Sequence, residues 1–234
     1  MKPVFIVSLA VAGALSALAC GEDAPSLRPD EPNSFVIAGG DNQSAVAGTA
    51  VSLAPSVRFL DAGGKGLPGI GITFVVASGG GSITPGDLVT DPTGTASVGS
   101  WTLGVIKGPN TLRATANDLS GGILTFKATG LAGPATTLTM SGGNNQSVGA
   151  GSDVSTPPSV QVTDANGNGV AGVVVTFAVA SGGGSITGPT PTTGEDGVAR
   201  VGSWKLGATA GPNTLSATAS GLIGSPLTFA ATGS

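Results

Sequence analysis

Asp164-Ala165-Asn166-Gly167-Asn168-Gly169 is a run of residue types that could hold a cation. Side-chain oxygens at positions 1, 3 and 5 ahead of a tight glycine turn build the first half of a calcium loop. The second half is missing, because position 12 is Val175 where a bidentate Glu is required. The related run Asp61-Ala62-Gly63-Gly64-Lys65-Gly66 puts a cation where an oxygen ligand should be. Both read as Asx-type turns, in which Asp accepts hydrogen bonds from nearby backbone amides and Gly supplies positive φ. Gly79–Gly81 and Gly182–Gly184 suggest a phosphate cradle, but neither leads into Gly-Lys-Ser/Thr or a helix, so both are expected as flexible inter-strand loops. Trp101 and Trp204 could stack on sugar rings, yet each is in phase with a nearby Leu (Leu103, Leu206) and reads as a packing residue. Glu195 and Asp196 are adjacent carboxylates whose counterparts in the other copy of the repeat are Pro92 and Thr93, so they read as turn acids.

The remaining composition closes most catalytic routes. The 234 residues include no His and one Cys, which removes an imidazole base, His metal ligation and an internal disulfide. Serines are plentiful but lack a base, and none sits in a Gly-x-Ser-x-Gly elbow. Net charge is −4 with no basic cluster, so no nucleic-acid partner is expected. The sequence therefore assigns no catalytic, cofactor-binding or metal-binding residue, and the reading is of a protein that is not an enzyme.

Residues 1–19 read as a signal peptide, with Lys2 ahead of an apolar run from Val4 to Ala19 that is shorter than a membrane span. Ala17-Leu18-Ala19-Cys20 resembles a bacterial lipoprotein signal, which implies lipidation of Cys20 and anchoring in the outer membrane. The same small residues also suit ordinary leader peptidase. Residues 20–34, with four acidic residues and three Pro, have the composition of a flexible tether.

The chain beyond the tether is a tandem repeat. SGGGSIT at 78–84 returns at 181–187, GSW at 99–101 returns at 202–204, and GPNTL at 108–112 returns at 211–215, always 103 residues on. Between 42–130 and 145–233 there are 51 identities in 89 positions, and a period near 100 matches a whole small domain rather than a solenoid repeat. Domains are placed at 35–131 and 132–234, joined by the short Leu131-Ala132-Gly133-Pro134 link. Within each, apolar residues alternate: Val57 and Phe59, Ile72, Phe74 and Val76, Leu112, Ala114 and Ala116, Leu124, Phe126 and Ala128. That period of two, broken by Gly, Asn-Gly and Pro, predicts about seven short strands per copy. The fold class is all-β, two antiparallel sandwiches. Parity switches between Ala96/Val98 and Trp101/Leu103, which predicts a bulge or bend at Gly99-Ser100.

DANGNGVAGVVVTFAVASGGGSIT at 164–187 and GSWKLG-x-x-x-GPNTLSATASG at 202–221 resemble the bacterial immunoglobulin-like domains of the invasin and intimin type. The resemblance covers nearly all of the chain after the tether. It implies an Ig-like sandwich and a stalk that holds an adhesive tip away from an outer membrane; neither that family's membrane β-barrel nor its lectin-like tip is legible here. The resulting expectation is a non-catalytic cell-envelope module, structural or adhesive, displayed from a lipid anchor on Cys20. A protein or polysaccharide ligand is expected on the loops of the second domain, in particular 188–196 and 220–226, which differ most from 85–93 and 117–123. The rival readings are a carbohydrate-binding envelope module, a hydrolase using Asp or Glu, and a pure periplasmic spacer.

Overall fold

The structure, a computed structural model, describes residues 32–116 and 122–234. The signal peptide, Cys20 and most of the tether lie outside the described residues, as does most of the 117–123 loop. No helix occurs among the described residues. The strands are β1 (Pro32–Gly39), β2 (Gln43–Val46), β3 (Ser56–Asp61), β4 (Gly71–Ser78), β5 (Gly81–Thr84), β6 (Asp87–Val89), β7 (Thr95–Ser97), β8 (Ser100–Leu103), β9 (Gly108–Ala116) and β10 (Ile123–Leu131). They continue as β11 (Thr137–Gly142), β12 (Gln146–Val148), β13 (Ser159–Thr163), β14 (Thr176–Ser181), β15 (Ser185–Thr187), β16 (Val198–Arg200), β17 (Ser203–Lys205), β18 (Gly211–Thr218) and β19 (Leu227–Gly233).

Every sheet draws its strands from one side of the Leu131–Pro134 link. In the first half β1-β3-β7 faces β2-β10-β9-β4-β6, with β5-β8 as a two-stranded ribbon. The second half repeats this as β11-β13-β16, β12-β19-β18-β14 and β15-β17. Pairing is antiparallel except for β2 on β10 and β12 on β19, which run parallel. The molecule is thus two Ig-like β-sandwiches. β1 opens at Pro32, which pairs with Asp61, so the last residues read as tether already belong to a strand.

The alternation in the sequence maps onto the inner faces. Val57, Phe59, Ile72, Phe74, Leu112, Ala114, Phe126 and Ala128 all pack into one buried cluster, and Val160, Val162, Phe177, Leu215, Ala217, Phe229 and Ala231 into its counterpart. Phe74 meets Phe126, and Phe177 meets Phe229, at the same 6.2 Å centroid distance and 39° tilt. The parity switch has a topological cause. The chain leaves β7, in the β1-β3-β7 sheet, and enters β8, which pairs with β5, so it changes sheet across Val98-Gly99.

The triple glycines are not loose loops. Gly79, Gly80 and Gly81 all have positive φ (85°, 79° and 87°), a conformation that side chains disfavour. A Cβ on Gly81 would lie 2.1 Å from the Thr102 carbonyl oxygen, and one on Gly79 would lie 2.4 Å from Asn110 Oδ1. Asn110 is 1% exposed and accepts from the Gly104 amide at 3.0 Å, so the run seals a buried polar corner. Gly182–Gly184 and Asn213 repeat the arrangement, with Asn213 Oδ1 accepting from Gly207.

Candidate functional site: the junction between the sandwiches

The Asp164–Gly169 loop comes directly after β13 and is closed by backbone bonds from Asp164 N to the Asn168 carbonyl (2.9 Å) and from Gly167 N to the Asp164 carbonyl (3.1 Å). Asp164 Oδ1 accepts the amides of Asn166 and Asn168, both at 2.9 Å. Its Oδ2 accepts Asn168 Nδ2 at 3.0 Å and, from the link, the Gly133 amide at 2.8 Å. Both carboxylate oxygens therefore face N–H donors, the arrangement of an Asx turn rather than of a cation cage. Asp164 is only 4% exposed. Burial pushes its carboxyl up, but the Asn168 side chain and the Gly133, Asn168 and Asn166 amides outweigh that and hold it below its ordinary 3.8.

Asn168 carries this loop onto the first sandwich. It is 5% exposed; its Nδ2 donates to the Val105 carbonyl at 2.9 Å and its Oδ1 accepts the Lys107 amide at 2.8 Å. A side-chain amide thus pairs in both directions with one short stretch of neighbouring backbone. Lys107 Nζ crosses as well, donating to the Gly169 carbonyl at 2.8 Å and to the Glu195 carbonyl. Thr136, at the end of the link, donates from its amide to the Thr163 carbonyl at 2.9 Å.

Apolar contact at this junction is modest. Val46, Val105, Ile106 and Leu131 remain 39%, 54%, 63% and 48% exposed. Clefts of about 460 Å³ and 390 Å³ open on the two flanks, the first beside Lys107, Leu131, Val170 and Glu195, the second beside Val46, Val105, Pro134 and Asn166. Directional hydrogen bonds, more than apolar contact, join the two bodies.

The other residues singled out in the sequence take structural places. Trp101 and Trp204 are 0% exposed, so neither ring face is open to a sugar. Their Nε1 atoms have no hydrogen-bond partner among the described residues. Asp196 Oδ1 accepts the Val198 amide at 3.0 Å, and Glu195 serves the junction through its backbone carbonyl. No group of three or more His, Cys, Asp or Glu side chains converges among the described residues.

The two loops expected to meet a ligand both lie at the end of the second sandwich that faces the first. Within 188–196, Pro189 and Pro191 carbonyls accept from Phe177 and Val175 along β14, and Glu195 receives Lys107. Within 220–226, Ile223 exchanges backbone bonds with Thr136 and Leu138 beside the link. Their divergence from the first copy thus has a structural account. Lys107 belongs to no motif, and Asn168 belongs to one whose residue types point to a cation or a turn and not to a contact with the first sandwich. The signal in the sequence is departure from the repeat at matched positions, since the counterpart of Lys107 is Ala210 and that of Asn168 is Lys65.

No family model matches this sequence, and no curated protein does. Among solved structures, the chain is similar to InvD of Yersinia pseudotuberculosis, with a TM-score of 0.56 at 17% identity over 86% of this chain and 57% of that one. It is also similar to FdeC, an Escherichia coli adhesin (TM-score 0.45, 19% identity, 89% of this chain and 66% of that one). The D0-D1 domain of intimin gives 0.31 at 17% identity, over 86% of this chain and 95% of that one. Ig-like domains of the invasin and intimin type are among the structural neighbours, and at these identities the likeness concerns the fold.

Proposed function

We propose that this protein is a non-catalytic module of the bacterial cell envelope, a two-sandwich spacer held from a lipid on Cys20 and contributing to adhesion. The observation that carries this reading is the junction. Its buried Asp164 and Asn168 and the bridging Lys107 hold two bodies in one placement, which a spacer needs and an isolated domain does not. The buried indoles and the carboxylates placed in turns add no chemistry beyond scaffolding. Invasin- and intimin-type neighbours favour the envelope over the cytoplasm, and the Ala-Leu-Ala-Cys sequence favours an outer-membrane lipid anchor. The adhesive half of the proposal is a protein or polysaccharide ligand on the loops of the second sandwich, 188–196 and 220–226, of which 188–190, 192 and 194–196 are exposed.

Protease shaving of intact cells tests the reading, with wild type and Cys20→Ala compared. The expected result is cleavage of wild type at the surface and release of the variant from the membrane fraction. Protection of wild type until the outer membrane is opened would remove surface display, and an unchanged membrane association of Cys20→Ala would remove the lipid anchor.

A further inference from the structure

The 103-residue repeat allows each face of the junction to be compared with the same face of the other sandwich, turned away from the junction. On the side given by the first sandwich, Val46, Val105, Ile106, Lys107 and Leu131 become Gly149, Ala208, Thr209, Ala210 and Ser234 in the second. The bridging cation and every large apolar group are gone. On the side given by the second sandwich, the matching loop of the first keeps the same backbone form: Asp61 Oδ1 accepts the amides of Gly63 (2.9 Å) and Lys65 (2.8 Å), and Asp61 N donates to the Lys65 carbonyl at 2.9 Å. At the position of Asn168, however, it carries an exposed Lys65. A lysine has three donors and no acceptor, so it cannot receive the amide that Asn168 Oδ1 receives from Lys107.

We propose that Lys107 and Asn168 form a joint specific to this pair of sandwiches: they set the orientation of the second sandwich on the first, and their replacement at the matched far faces stops those faces from making the same joint between two copies of the chain. Head-to-tail contacts between identical units are heterologous and run on into open filaments unless the ends are made non-complementary. A tandem of near-identical domains carries that hazard at the two faces matching the junction, and substitutions at the two decisive positions remove it there while the loop backbone is retained. This inference rests on the spacer reading for its purpose, but its geometry is tested independently of surface display.

The test is an electron–electron spin-label distance between labels at Thr125→Cys and Thr228→Cys, exposed positions on β10 and β19, in the chain carrying Cys20→Ser. Wild type is expected to give one narrow distance distribution, and both Asn168→Lys and Lys107→Ala a distribution at least twice as broad. Lys107→Arg is expected to restore the narrow one, and Lys65→Asn to leave it unchanged. The first sandwich already folds with lysine in this loop, so Asn168→Lys keeps the second sandwich intact, with unchanged Trp204 emission as the control. An equally narrow distribution in Asn168→Lys overturns the orienting role. In sedimentation velocity the label-free chain is expected to stay a single species as its concentration rises; a ladder of longer species would overturn the claim that the two far faces cannot make this joint.

Discussion

Asp164 is the residue on which the junction turns, because one carboxylate gathers the loop amides, the Asn168 side chain and the Gly133 amide of the link. Hydrogen bonds to a charged group contribute about 1.5–3 kcal/mol each, against about 1 kcal/mol for neutral pairs. Asp164→Asn keeps the shape and removes the charge, so we expect it to destabilise the second sandwich by about 2 kcal/mol at pH 7. The pH dependence has a definite sign. The folded-state pKa lies below 3.8, so the carboxylate's contribution is fully present above that value and is lost as pH falls through the depressed one. The charged groups nearest by chain and contact are Lys107, whose ammonium reaches the Gly169 and Glu195 carbonyls, and Glu195, which meets the junction through its backbone. Urea unfolding of wild type and Asp164→Asn should therefore differ at pH 7, and the gap should narrow as pH falls below 3.8. A gap that persists in acid would show that the charge is not what Asp164 supplies.

At the scale of elements, the two sandwiches differ where one has a strand and the other has none. β6 (Asp87–Val89) pairs with β4 at the edge of the first sandwich, and the equivalent residues 190–192 form only an isolated bridge between Val174 and Thr192. Proline explains the loss. Pro189 and Pro191 accept from Phe177 and Val175 through their carbonyls at 2.7 Å and 3.0 Å, but neither has an N–H to return, so the ladder is half made. Pro191→Leu, which copies Leu88, restores one donor toward Val175, and we expect its amide to exchange slowly while stability rises by about 1 kcal/mol. Fast exchange of that amide would show that the edge is shaped by something other than the missing donors. The same comparison separates what is legible in the sequence from what is not. A period of two at Val57, Phe59, Leu112, Ala114 and Phe126 reports directly on burial, because a strand face is local to the chain. The parity change before Trp101 is equally visible, but whether it marks a bulge or a change of sheet depends on strands remote in sequence. The Gly79–Gly81 run carries no hint of its rigidity, since the atoms that exclude a Cβ come from Thr102 and Asn110. The Asp164–Gly169 loop is legible as an Asx turn from its residue types alone. Its partners are not, because Lys107 and Val105 lie 61 and 63 residues from Asn168 and nothing in the loop points to them.

For the whole molecule the question is how strongly one sandwich senses the other. Relative motion is the default for two domains on a short link unless their interface is large or well bonded, and here the apolar part is small. Coupling therefore rests on four side-chain bonds across the junction: Lys107 N to Asn168 Oδ1, Asn168 Nδ2 to Val105 O, and Lys107 Nζ to the Gly169 and Glu195 carbonyls. At about 1 kcal/mol apiece they amount to roughly 4 kcal/mol, enough to make two bodies of such similar core unfold nearly together. Each sandwich holds one fully buried tryptophan, so Trp101→Phe and Trp204→Phe chains report on the second and the first separately. Their denaturation midpoints should nearly coincide in the presence of Lys107. Lys107→Ala deletes the ammonium bonds and leaves the backbone amide to Asn168, so coupling should fall by about 1–2 kcal/mol and the two midpoints should move apart. Midpoints that move together by the same amount would mean that Lys107 stabilises the fold of one sandwich and not the joint between them.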